Sequence, residues 1–125
     1  MQTHPEDLST ARSTAATDTG VVLQAGECRC AGFIISNIVG AAARYVKIYD
    51  KATAPTSSDT PLFTVSLAAA GAAGSTVPIE VPNAIRFTAG IAARCTTAGA
   101  DSSTAGATSG DVSITALYRL RGIVP

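Results

Sequence analysis

The chain has 125 residues, nine basic side chains against nine acidic ones, and a single histidine; only 14% of its residues are charged. That length suits one domain, and a chain of this size buries roughly two-thirds of its unfolded surface, so it folds without needing disulfides or metal. Zero formal net charge argues against nucleic acid or an anionic membrane as partner, since both attract a clustered positive excess. No apolar run is long enough to span a bilayer as a helix, and the first residues lack the apolar core of a signal peptide. Three cysteines, an odd number, do not make a disulfide framework and fit synthesis in a reducing cytoplasm. Low charge with abundant Ala, Gly, Ser and Thr suits a protein much of whose surface is covered in its working state.

Residues 1–19 are polar and aperiodic, and are expected to form a flexible N-terminal arm, leaving residues 20–125 as the domain. Gly20–Gln24 (GVVLQ) is a short strand candidate, and Cys28–Asn37 (CRCAGFIISN) a second. In the latter Cys28 and Cys30, then Phe33 and Ile35, are the apolar positions, and Gly32 breaks the alternation as a bulge would. A helix over Ile34–Val46 competes, but β-branched residues and Gly40 weigh against it.

The middle of the chain, Ala43 to Leu67, alternates twice around a proline-bearing loop. In Arg44–Lys51 the residues Val46 and Ile48 share one face, and Tyr45, Lys47 and Tyr49 the other; in Leu62–Leu67 the facing set is Phe63, Val65 and Leu67. A period of two marks strands buried on one side. Ala68–Ser75 reads as a loop because of its glycines. Thr76–Val81 carries Val77, Ile79 and Val81 on one parity with prolines on the other, the mark of an edge strand. Pro82–Asn83 reads as a turn into Ala84–Phe87. Ile91–Thr97 follows, then a low-complexity loop, Ala98–Asp111, and Val112–Leu120 as the last strand, with Gly122–Pro125 as a tail. About eight short strands separated by turn signals indicate an all-β, single-domain β-sandwich, with a jelly roll as the first choice of topology. Its expected core includes Val46, Ile48, Phe63, Val65, Ile79, Ile85, Phe87, Ile114 and Tyr118.

Catalytic chemistry finds little footing. His4 is the one histidine and lies in the arm, whereas a general base must be held rigidly beside its nucleophile. Cys28-x-Cys30 with Cys95 offers three thiolates to a zinc ion, but a C-x-C pair on a strand also places two small thiols on one face, where they pack well. The Asp101–Asp111 loop has oxygen ligands of the kind calcium prefers, without the spacing of a calcium-loop motif. Gly71–Gly74 does not open a lysine-bearing phosphate loop. Seven arginines against two lysines fit either interface residues or scattered surface charge. The expectation is a protein that is not an enzyme and holds neither cofactor nor metal.

Three stretches carry a resemblance: RYVKIYDKATAPTSSDTPLFTVSL, IRFTAGIAARCTTAGADSSTAG and SGDVSITALYR. Together, over about Ala43 to Arg119, they resemble small virion structural proteins of tailed bacteriophages, of the head decoration or capsid cement type. The resemblance implies a jelly-roll-like sandwich on the virion head, made in the host bacterial cytoplasm. Its partner would be the major capsid protein, and it would self-associate as a trimer or other homo-oligomer. Tail or spike-base components share the pattern, and a receptor- or carbohydrate-binding sandwich is the alternative of a different class. Subunit contacts are expected from the arm and from the loops Ala52–Thr60 and Ala98–Gly110, with His4, Arg12, Asp59, Asp101 and Asp111 as candidate contact residues.

Overall fold

A computed structural model describes residues 8–39, 42–69 and 75–120. Eight strands run through them: β1 (Ser9–Ser13), β2 (Val21–Ala25), β3 (Cys28–Asn37), β4 (Arg44–Asp50), β5 (Phe63–Leu67), β6 (Ser75–Phe87), β7 (Gly90–Thr96) and β8 (Val112–Leu120). There is no helix among the described residues, so the helical alternative over Ile34–Val46 is set aside. The strands form two four-stranded sheets, ordered β1-β8-β3-β6 and β2-β7-β4-β5. The antiparallel pairs β1–β8, β2–β7, β3–β6 and β4–β5 are nested, first strand with last and inward to the middle. That is a long hairpin rolled into two facing sheets, the connectivity of a jelly roll.

The core lies between the sheets and follows the alternation. Cys28, Cys30, Phe33 and Ile35 of β3 face Val46 and Ile48 of β4, Ile91, Ala93 and Cys95 of β7, and Val112, Ile114 and Ala116 of β8; all are buried. Among the expected core positions Val46, Ile48, Phe87, Ile114 and Tyr118 are buried, and Phe63, Val65, Ile79 and Ile85 pack partly buried against them. Phe33 meets Phe63 and Phe87 edge-on, with ring centroids 5.9 and 6.5 Å apart. Such contacts add about 0.5–1.5 kcal/mol each beyond the area they bury.

Two expectations need correction. Residues 9–19 belong to the sandwich: β1 pairs with β8 from Ser9↔Tyr118 to Ser13↔Ile114, and Ala16 is fully buried in the core. The segment STARS has no apolar alternation because it is an edge strand, tied down by the ladder of β8 more than by its own side chains. The rest of the expected arm, residues 1–7, lies outside the described residues, as do Gly71–Gly74 and the tail. Pro82–Asn83 does not divide two strands, because β6 is continuous from Ser75 to Phe87. The irregularity there is a bulge: as β3 advances from Cys30 to Gly32, its partner on β6 moves from Ile85 to Glu80, and Ala84 takes a left-handed φ of 57°. So the expected strand count stands with different members. Two candidates merge into β6, and β1 comes from the arm.

Candidate functional site

Alternation puts Lys47 and Tyr49 of β4, and Arg94 and Thr96 of β7, on the outer face of the second sheet, where solvent would be expected. They are instead buried, Lys47, Arg94 and Thr96 completely. Three chain segments cover them. The excursion after β7 folds back on the sheet, with Thr97 N–H donating to the Ala105 carbonyl at 2.7 Å and Ala107 N–H to the Cys95 carbonyl at 3.2 Å. From the chain before β2, the Thr17 carbonyl accepts from Cys95 N–H at 2.9 Å. The loop after β4 reaches over through Pro55, whose carbonyl accepts from Gly20 N–H at 3.2 Å. Gly20 has to be glycine, since a Cβ there would overlap the Pro55 ring. A Cβ on Gly106 would likewise strike the Asp18 carboxylate.

Arg94 ties two of these segments, the chain before β2 and the excursion after β7, to the sheet. Its Nε donates to the Asp18 carbonyl at 2.7 Å, Nη1 to the Tyr49 hydroxyl at 3.2 Å and the Asp101 carbonyl at 3.3 Å, and Nη2 to the Ser103 carbonyl. Lys47 stands opposite it in the β4–β7 register. Its Nζ donates to Thr96 Oγ1 at 2.7 Å and to the Ala98 carbonyl at 3.3 Å. Burial, and then the charge of Arg94, lower the Lys47 pKa below its usual value, with Asp101 and Cys95 acting in the opposite sense. Every acceptor around the two cations is a neutral carbonyl or hydroxyl. Among the described residues no carboxylate lies within ion-pair distance of either cation. A cavity of about 250 Å³ opens beside Arg94, bordered by Asp18 and by Thr19, Pro55, Thr56, Ser57 and Thr104.

The sequence-expected contact residues are not gathered at one place. His4 lies outside the described residues. Arg12 is exposed on the edge strand β1. Asp59 is occupied inside its own loop, where it accepts from Lys51 Nζ at 2.9 Å and Thr56 N–H at 2.8 Å. The Asp101 side chain is exposed at the tip of the covering excursion, while its carbonyl holds Arg94. Asp111 departs furthest from expectation. It is 9% exposed, accepts from Arg44 Nε at 3.0 Å and Thr108 N–H at 2.9 Å, and so braces the fold instead of presenting itself to a neighbour. The two expected contact loops do meet, since Ala54–Ser57 and Thr104 border the same cavity.

Cys28, Cys30 and Cys95 are free, buried thiols. Burial pushes Cys28 and Cys95 up to about 11, with the neighbouring Cys30 adding to the rise at Cys28. Among the described residues no three His, Cys, Asp or Glu side chains come together as a metal site requires. Compared with known proteins, the chain matches no family model, and no curated protein is significantly similar to it in sequence.

Proposed function

We propose that this protein is a non-enzymatic structural component of a tailed-phage virion, a decoration protein that docks on the assembled head and stabilises it. The observation that carries the reading is the fixed loop layer over the second sheet. Three segments distant in sequence meet there, two of them fastened by a buried arginine and a buried lysine and the third, the loop after β4, by the Gly20 N–H to Pro55 carbonyl bond, giving a surface of defined shape. A protein that works by docking needs such a surface, because preformed loops lose little entropy on binding. The stretches that resemble phage virion proteins map onto β4, β5, the end of β6, β7 with its excursion, and β8, which supply most of the second sheet and two of the three covering segments. A ligand that binds only the assembled state stabilises that state by mass action, with no catalytic group required. The homo-oligomer and the major capsid protein as partner belong to the same proposal.

Mass spectrometry and electron microscopy of a purified particle carrying this chain test it. Density for an eight-stranded sandwich on the head lattice is the expected result. The same density confined to the tail or spike would replace the head assignment, and absence of the chain from the particle would end the virion reading.

A further inference from the structure

Lys47 and Arg94 face each other across β4 and β7, both fully buried. Like charges directly opposite on a sheet repel, and burying either one without a counter-charge costs several kcal/mol in general. Carbonyls and hydroxyls satisfy donors but bring no negative charge. Of the acidic groups nearby, exposed Asp101 acts on Lys47 only through its charge and Asp18 borders the cavity, but neither forms an ion pair with either cation. Arg94 has five N–H donors, and four hydrogen bonds engage them. One donor remains, on a side chain that forms a wall of the cavity, and hydroxyl-bearing Thr19, Thr56, Ser57 and Thr104 stand around the same space. A buried cation pair with no ion-paired carboxylate, its Arg94 at the wall of an open cavity with room for several water molecules, describes half of a binding site.

We propose that this cavity binds an oxyanion, a carboxylate or a phosphate-type group, which completes the hydrogen bonding of Arg94 and balances the charge of Arg94 and Lys47. The ligand is either a free anion or an acidic side chain of a neighbouring subunit, since the chemistry recognised is the same. The site does not depend on the virion reading and stands or falls separately from it.

The test is nuclear magnetic resonance of the ¹⁵N-labelled full-length protein, titrated with inorganic phosphate and separately with acetate, at ionic strength held constant with chloride. Saturable shifts of the Arg94 Nε–H and of the Thr19, Thr56 and Ser57 amides, with a melting midpoint that climbs with anion concentration, are expected. Saturation by phosphate alone assigns a phosphate-type ligand; saturation by acetate assigns a carboxylate. Arg94→Met removes the response if it folds. Ala54→Glu keeps the result decisive in any case: Ala54 is an exposed residue bordering the cavity, and a carboxylate there should weaken anion binding at least ~10-fold by repulsion or by occupying the site. Shifts that do not saturate, that scatter over the surface, or that persist unchanged in Ala54→Glu would overturn the proposal.

Discussion

Single residues set how this fold responds to pH. Asp50, at the end of β4, accepts from Ala89 N–H at 2.8 Å, Thr88 N–H at 3.0 Å, Gly90 N–H at 3.2 Å and the Thr88 hydroxyl at 2.9 Å. Burial works to raise its pKa, and these bonds outweigh it and hold the carboxyl below the usual carboxylate range. A depressed folded pKa means stability that is present above the unfolded value and lost as pH falls through the folded one. Asp50→Asn should therefore cost about 1–3 kcal/mol near neutrality. It should also flatten the acid limb of the stability curve, as measured by urea unfolding across pH. The cysteines act at the other end. The folded pKa values of Cys28 and Cys95 lie near 11 against an ordinary 9.0, and burial raises Cys30 as well, so the folded state holds protons that the unfolded chain has released. Stability then falls as pH rises from 9 towards 11. Lys47 opposes this with its lowered pKa, but it is one group against at least two. Thermal midpoints should decline over that window, and Cys28→Ala with Cys95→Ala should reduce the slope. In the native protein all three thiols should be unreactive to a thiol-specific dye at neutral pH and should titrate once it is unfolded. At this scale the core was legible from parity alone. Lys47 and Arg94 were not, because alternation says only that they leave the core, and whether solvent or a loop awaits them depends on the path of residues 97–107. The hint available was the length of that loop and the presence of one cation at the middle of each of two alternating runs.

At the scale of elements, β4 and β8 announce themselves because each carries a full alternating set, and β3 because its alternation is broken only at the Gly32 bulge. β1 does not, since Ser9–Ser13 borrows its order from β8. Removal of residues 1–18 is therefore expected to strip the edge from the first sheet, lose the buried Ala16 and remove the Thr17 and Asp18 carbonyls that hold Cys95 and Arg94. The truncated protein should be insoluble or show a sharply lower melting midpoint by circular dichroism; an unchanged midpoint would return these residues to the role of an arm. The bulge in β6 is a second case. Pro78 before it and Pro82 within it read as punctuation, yet the ladder resumes on the same partner, with Ala84 absorbing the irregularity at φ 57°. Alanine in that region carries a steric cost that glycine avoids. Ala84→Gly should be neutral to stabilising, by up to about 1 kcal/mol in chemical denaturation, the reverse of what glycine does inside a regular strand.

For the whole molecule, the nested pairing brings chain ends and middle into one sandwich, so the loops on the second sheet come from remote parts of the sequence and still meet. The surface they form is the basis for reading the protein as one that docks on an assembled particle. The direct measurement of that proposal is co-sedimentation of the purified protein with tailed-phage heads that lack it, alongside unassembled major capsid protein. Saturable binding to the assembled heads, a rise in their disruption temperature, and no stable complex with the free subunit are the expected results. Failure to bind heads, or equal binding to free subunits with no effect on the heads, would contradict it.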